Sequence, residues 1–298
     1  MSRTLRVFPV DAFTTVAGGG NPAMVALDAG QLGTAEMQRI ASDHHQGDWA
    51  FALPASHTDA DLDVRFFSPR KELPFVGHAT LALHAVLDRL EPRALRRQHG
   101  ATGIVEVRRT DTGEFSIRQA PPALGRVIEA AELREVLALL SLTPERLDSR
   151  GPVRIAGGAS TRLLLGLADT AALDALAPRM SELAALSPRL GAQGYFLFVP
   201  RSEAGRLETE SRMFCPAIGI DEDPVSGNAH AMLGIHLHAL GLLPMADGMA
   251  KFTGRQGRHV GRPGQVSVAI ELDDQRSPTA ASIAGPAVVK EAVVLTLA

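Results

Sequence analysis

One stretch of this chain is written twice. Residues 72–87 read ELPFVGHATLALHAVL, and residues 222–237 read EDPVSGNAHAMLGIHL. They align without a gap. Pro74 falls on Pro224, Gly77 on Gly227, Ala79 on Ala229 and Leu83 on Leu233, a constant offset of 150 positions. Just upstream, FFSP (66–69) resembles MFCP (213–216) at a slightly different spacing. The offset is about half of the 298-residue chain, so the pattern predicts two similar halves.

Each copy continues into a run that is apolar on nearly every side, HATLALHAVL and NAHAMLGIHLHAL. A helix on a surface shows a polar face, and one without such a face is enclosed all round. Around the two runs lie many strand-like segments: TLRVFPVDAF, AMVAL, WAFALP, LDVRFFSP, GIVEVRRT, EFSIRQA, PVRIAGG, TRLLLGLA, GYFLFVP, QVSVAIEL and the closing AVVKEAVVLTLA. Further helices are expected at Thr34–Asp43, with Thr34 as N-cap, in AAELREVLALLSL and in MSELAALSPRL. Many strands around few helices indicate an α+β fold in two halves, each a curled sheet around one buried helix. The APPALG break sets the expected boundary: residues 1–122 as an N-terminal lobe and 123–298 as a C-terminal lobe, the last strand (about 284–298) returning to the first.

Composition excludes several function classes. The formal charge is −3 with no long run of one sign, and aromatics are 4%, which argues against nucleic acid as a partner. The single cysteine, Cys215, rules out an intrachain disulfide and a cysteine-rich metal site. No Lys, Arg, Asp or Glu occurs between Asp223 and Asp247, but His230, His236 and His238 interrupt the run, so a buried helix rather than a membrane span is expected. MSRTLRVFPVDAF lacks the apolar core of a signal peptide, and a cytoplasmic location is the expectation.

Gly77-His78 and Gly227-Asn228 stand where the two helices begin. The first N–H groups of a helix lack internal partners, and the helix dipole favours anions there. Two such ends would suit a small carboxylated substrate, although ordinary caps facing water are the commoner case. Asp223 precedes the second helix, and Asp48 sits beside Trp49 at the start of a strand. A carboxyl among apolar neighbours has a raised pKa and can carry protons at neutral pH. No metal is expected. His236 and His238 are two apart and face different ways, and His44 and His45 are adjacent. No P-loop, dinucleotide fingerprint or zincin motif is present.

Four segments taken in order, GNPAMVAL, FFSPRKELPFVGHAT, DEDPVSGNAHA and QGRHVGRPG, resemble the PhzF-like proteins of phenazine biosynthesis, relatives of diaminopimelate epimerase. The likeness covers essentially the whole chain. It implies two pseudo-symmetric lobes, each a β-barrel around a central helix, a homodimer, and acid/base chemistry without a cofactor. The best-known member isomerises trans-2,3-dihydro-3-hydroxyanthranilate. By this resemblance Asp48 takes the place of a catalytic Glu, and His78 and Asp223 match its other catalytic residues. Asn21, Gly77, Ser226, Gly227 and Asn228 become the substrate-binding set. Gly47 stands for a Ser, Trp49 for a small residue and Asn228 for a Ser, so the acid is one methylene shorter and Trp49 adds bulk beside it. Three functions compete: a proton-moving isomerase, an amino-acid racemase or epimerase, and a catalytically silent ligand-binding homologue.

Overall fold

The computed structural model describes residues 3–44, 46–158, 160–203, 205–246 and 248–297. The chain divides into two units. Unit 1 holds the residues up to Gln119 and those from Ala284 on; unit 2 is Ala120–Ile283. Unit 1 runs β1 (Arg3–Ala12), β2 (Asn21–Leu27), α1 (Thr34–Asp43), β3 (Asp48–Leu53), β4 (Leu62–Phe67), β5 (Glu72–Leu73), α2 (Gly77–Leu90), β6 (Leu95–Gly100), β7 (Gly103–Arg109) and β8 (Phe115–Gln119). Unit 2 follows with β9 (Leu124–Val127), α3 (Ala130–Leu140), β10 (Arg154–Gly157), β11 (Thr161–Gly166), α4 (Thr170–Asp174), α5 (Met180–Leu190), β12 (Gly194–Glu203), β13 (Arg206–Cys215) and β14 (Ile220–Asp223). It continues through α6 (Gly227–Ala239), β15 (Met245–Ala246), β16 (Met249–Gln256), β17 (Gly264–Leu272) and β18 (Pro278–Gly285). The chain then returns to unit 1 as β19 (Ala287–Val289) and β20 (Val293–Leu297), both antiparallel to β1.

The repeated sentence has a repeated topology beneath it. In unit 1, β1–β2 is antiparallel, β2–β3 parallel, β3–β4 antiparallel, β4–β6 parallel and β6–β7 antiparallel. In unit 2 the same alternation runs through β10–β11, β11–β12, β12–β13, β13–β16 and β16–β17. A short strand, β5 or β14, pairs back onto β4 or β13 and leads into the helix. The architecture is α+β, with mixed sheets and few helices.

The helices are enclosed as their composition requires. Every residue of α2 from Ala79 to Val86 is buried, and in α6 every residue from Ala229 to Leu237. β1, β2, β3, β8 and β19 pack on α2, and β9, β10, β11, β16 and β17 on α6. The unit 1 sheet has a second apolar layer on its other face, where Met37 and Ile40 of α1 meet Met24, Trp49, Phe51 and Phe67. Thr34 is the first residue of α1 and not its cap. That place falls to Gly33, whose N–H donates to Glu36 Oε2 at 3.1 Å, because a Glu three positions on reaches back to the cap. No helix among the described residues is long and apolar enough to cross a membrane.

β6 looks too polar to be a strand (LRRQHG), yet its Arg96 and Gln98 point inward, 5% and 1% exposed. Arg96 donates to the carbonyls of Leu87 and Glu91 at the end of α2. Gln98 Oε1 accepts from His84 Nε2 at 3.0 Å, and Gln98 Nε2 donates to Thr80 Oγ1 at 3.3 Å. Burial drives the His84 pKa down to about 4, so the imidazole is neutral and bonds as Nε2–H. Gln98→Leu removes both bonds and leaves a buried donor unsatisfied. We expect a loss of about 1–3 kcal/mol in urea unfolding, and a loss under 0.5 kcal/mol would contradict this account.

Candidate active site

Asp48 opens β3, and successive strand residues point to opposite faces. Trp49 enters the layer beneath α1, where it is fully buried, lies 5.4 Å from the Phe51 ring and donates Nε1–H to His44 O at 3.3 Å. Asp48 is in phase with Ala50 and Ala52, which share the core layer of α2. The bulk beside the acid in sequence is therefore on the far side of the sheet. Asp48 stands next to Ala23 of β2 in the parallel register. Gly47 before it has φ +111°, and a Cβ there would run into the Pro22 carbonyl.

His78 is the second residue of α2, and its Nε2 lies 3.7 Å from Asp48 Oδ2, with the two side chains 14% and 25% exposed. That separation exceeds a hydrogen bond and is short enough for an electrostatic pair. Burial pushes the Asp48 carboxyl up to about 6. The group is thus poised to take and return a proton near neutrality. The cap position of α2 is Val76, whose side chain has no acceptor.

Asn21 opens β2, 6% exposed and opposite Ala12. The Gly-rich turn before it is tied down at Asp11, which accepts from Gly18 N–H at 2.8 Å and pairs with Lys290 Nζ at 2.8 Å. Asp48 and His78 thus come together in unit 1. Asp223, Ser226, Gly227 and Asn228 lie together in unit 2, at the end of β14 and the start of α6.

Ser226 caps α6, its Oγ accepting from Ala229 N–H at 3.3 Å. Gln256 holds this turn, and sequence reading gave it no role. It is 2% exposed. Its Nε2 donates to Asp223 O at 2.6 Å, and its Oε1 accepts from Ser226 N–H at 3.1 Å. The one signal available was its place at the head of QGRHVGRPG.

No group of three or more potential metal ligands occurs among the described residues. His236 is buried and its pKa falls to about 4, while His238 Nε2 donates to Arg276 O at 2.9 Å. His45 lies outside the described residues. Cys215 is buried, and its thiol is pushed up to about 12, chiefly by burial. A groove of about 700 Å³ in unit 1 opens over Leu87, Leu90 and Arg96 at the other end of α2, and none of the candidate residues lines it.

Residues 10–292 match the phenazine biosynthesis-like protein family PhzC-PhzF. The chain belongs to that family. It is 33% identical over 292 residues to the uncharacterized isomerase YddE of Escherichia coli, covering 95% of this chain and 96% of the relative. It is 30% identical over 285 residues to the trans-2,3-dihydro-3-hydroxyanthranilate isomerase of Pseudomonas aeruginosa, covering 91% and 92%. The kinship places this member of the PhzC-PhzF family among isomerases. The crystal structure of a PhzF-family phenazine biosynthesis protein from Bacillus anthracis superposes with a TM-score of 0.87 at 24% identity, over 99% of this chain and all of that one. A hydroxyproline epimerase from Agrobacterium vitis shares the fold more distantly, at a TM-score of 0.63 and 16% identity over 99% and 93% of the two chains.

Proposed function

We propose that this protein is a cofactor-independent isomerase that moves a proton within a small carboxylated metabolite, with Asp48 as the acid/base. The observation that carries the reading is the buried Asp48 carboxyl, raised to about 6 and 3.7 Å from His78 Nε2. As carboxylate it removes a proton from one substrate carbon. The electron pair shifts the double bond, and the resulting carboxylic acid returns the proton to another carbon, leaving composition unchanged. His78 and Asp223 orient the substrate or share the proton. Asn21, Gly77, Ser226, Gly227 and Asn228 bind it, and the α2 amides that no side chain caps receive its carboxylate. Two pseudo-symmetric barrels, one around α2 and one around α6, and a homodimer belong to the same proposal. Light scattering reads the oligomeric state.

A thiol-based racemase fits poorly, because the one cysteine is held as a neutral thiol at neutral pH. The test is solvent-deuterium incorporation in D2O with a panel of trans-2,3-dihydro-3-hydroxyanthranilate, amino acids and proline derivatives. We expect one substrate to gain deuterium with a shifted double bond and a changed ultraviolet spectrum. Inversion of a stereocentre would favour an epimerase. No exchange in any compound shown to bind would leave a silent binding protein.

A further inference from the structure

The repeated topology allows the two units to be matched position by position. Asp48 precedes Trp49, which lies opposite Phe67 of β4, and Gly194 precedes Tyr195, opposite Phe214 of β13. Phe67 and Phe214 are the second residues of FFSP and MFCP. The counterpart of Asp48 is therefore Gly194. Ala23, beside Asp48 in the parallel pair, corresponds to Arg162, beside Gly194. Where unit 1 has a carboxylate next to a methyl group, unit 2 has a glycine next to a guanidinium.

The exchange is steric as well as electrostatic. A Cβ at Gly194 would lie 3.0 Å from Arg162 Cδ and would run into Cys215 Sγ. The Arg162 stem thus occupies space that the Asp48 side chain has in unit 1. Arg162 is 8% exposed. Its η1 nitrogen donates to Ser160 Oγ and Thr161 O, both at 2.8 Å and both neutral. Its Nε is buried and finds no acceptor among the described residues, and among those residues Arg162 makes no ion pair. A guanidinium held only by neutral oxygens keeps its charge uncompensated and favours an anionic partner. A guanidinium is built to receive a carboxylate with two parallel hydrogen bonds. Cys215, which the same added Cβ would meet, ends β13 just ahead of β14 and the turn into α6.

We propose that unit 2 carries a carboxylate-binding site centred on Arg162, at the place equivalent to that of Asp48 in unit 1. Its ligand is a small organic carboxylate. That this carboxylate is the substrate's own rests on the isomerase reading above, whereas the site itself does not.

Sodium acetate is the probe, titrated at constant ionic strength against sodium chloride, with acetamide as the neutral control and Tm as the readout. At tenfold excess over its dissociation constant, acetate raises the wild-type Tm by about 3 °C, and acetamide does nothing. Arg162→Met keeps the apolar stem and loses the response. Arg162→Lys keeps the charge without the fork and retains a reduced response, which serves if the Met variant fails to fold. No rise in wild type, or equal rises in wild type and Arg162→Met, overturns the site. Asp48→Asn in unit 1 keeps the acetate response. Hence a normal acetate response without any deuterium exchange would overturn the isomerase reading and leave this one standing.

Discussion

Asp48→Asn should abolish deuterium incorporation and at the same time make the protein more stable at neutral pH. The first effect follows from removing the group proposed as the acid/base, and general acid/base groups of this kind contribute roughly 10²–10⁴-fold. The second follows from burial. The Asp48 carboxyl is raised from 3.8 to about 6 by desolvation, so the folded state binds its proton more tightly than the unfolded chain does. Below about pH 4 the group is protonated in both states, and wild type and the amide variant should be about equally stable. Between about pH 4 and 6 the unfolded state gives up the proton first, and wild type loses stability relative to the variant. Above pH 6 the difference levels off at about 1–3 kcal/mol in favour of Asp48→Asn. Urea unfolding of both proteins at pH 4, 6 and 8 measures it. A variant less stable than wild type at pH 8 would mean that the carboxylate has a compensating partner. Retained exchange on a substrate that wild type converts would remove Asp48 from the mechanism.

Gly47→Ala should cost stability and activity together. Its φ of +111° is one that residues with a side chain rarely adopt, and the added methyl would collide with the Pro22 carbonyl in the strand beside it. Gly103 is the natural control: its φ is +92°, but a methyl there meets nothing within 4 Å. Gly103→Ala should lose about 1 kcal/mol from backbone strain alone, and Gly47→Ala about 2–4 kcal/mol. Relief of the collision moves the start of β3, where Asp48 sits, and a displacement near 1 Å costs roughly a hundredfold in rate. Equal losses in thermal unfolding for the two variants would show that the contact with Pro22 is not a constraint.

The repeat made the two enclosed helices legible, because apolar residues on all sides of a helix leave few places to put it. The order of strands around them was less so. β6, β13 and β16 place Gln98, Ser211 and Gln256 in the interior, which breaks the alternation by which a half-buried strand is recognised. Those polar residues face inward because their partners are backbone or side-chain groups far along the chain, and a single sequence does not pair them. Asp48 could be found from its neighbours. The direction of Trp49 could not, since adjacency in sequence reads as adjacency in space until the strand is known to separate the two. Gly47 reads as a lost serine in the family pattern, whereas the backbone conformation accounts for it. Arg162 stood in an ordinary strand-like run, TRLLLGLA. Its meaning came only from the register that sets it beside Gly194.

The return of β19 and β20 to β1 has a consequence for synthesis on the ribosome. Unit 2 is one continuous stretch of roughly 160 residues and can close as soon as it has emerged. The part made first cannot, because α2 packs against β19, and β1 lacks two of its neighbours until the final segment is out. At about 5–20 residues per second, the first 119 residues wait on the order of ten to thirty seconds with part of an apolar helix uncovered. The half translated first is thus the half completed last.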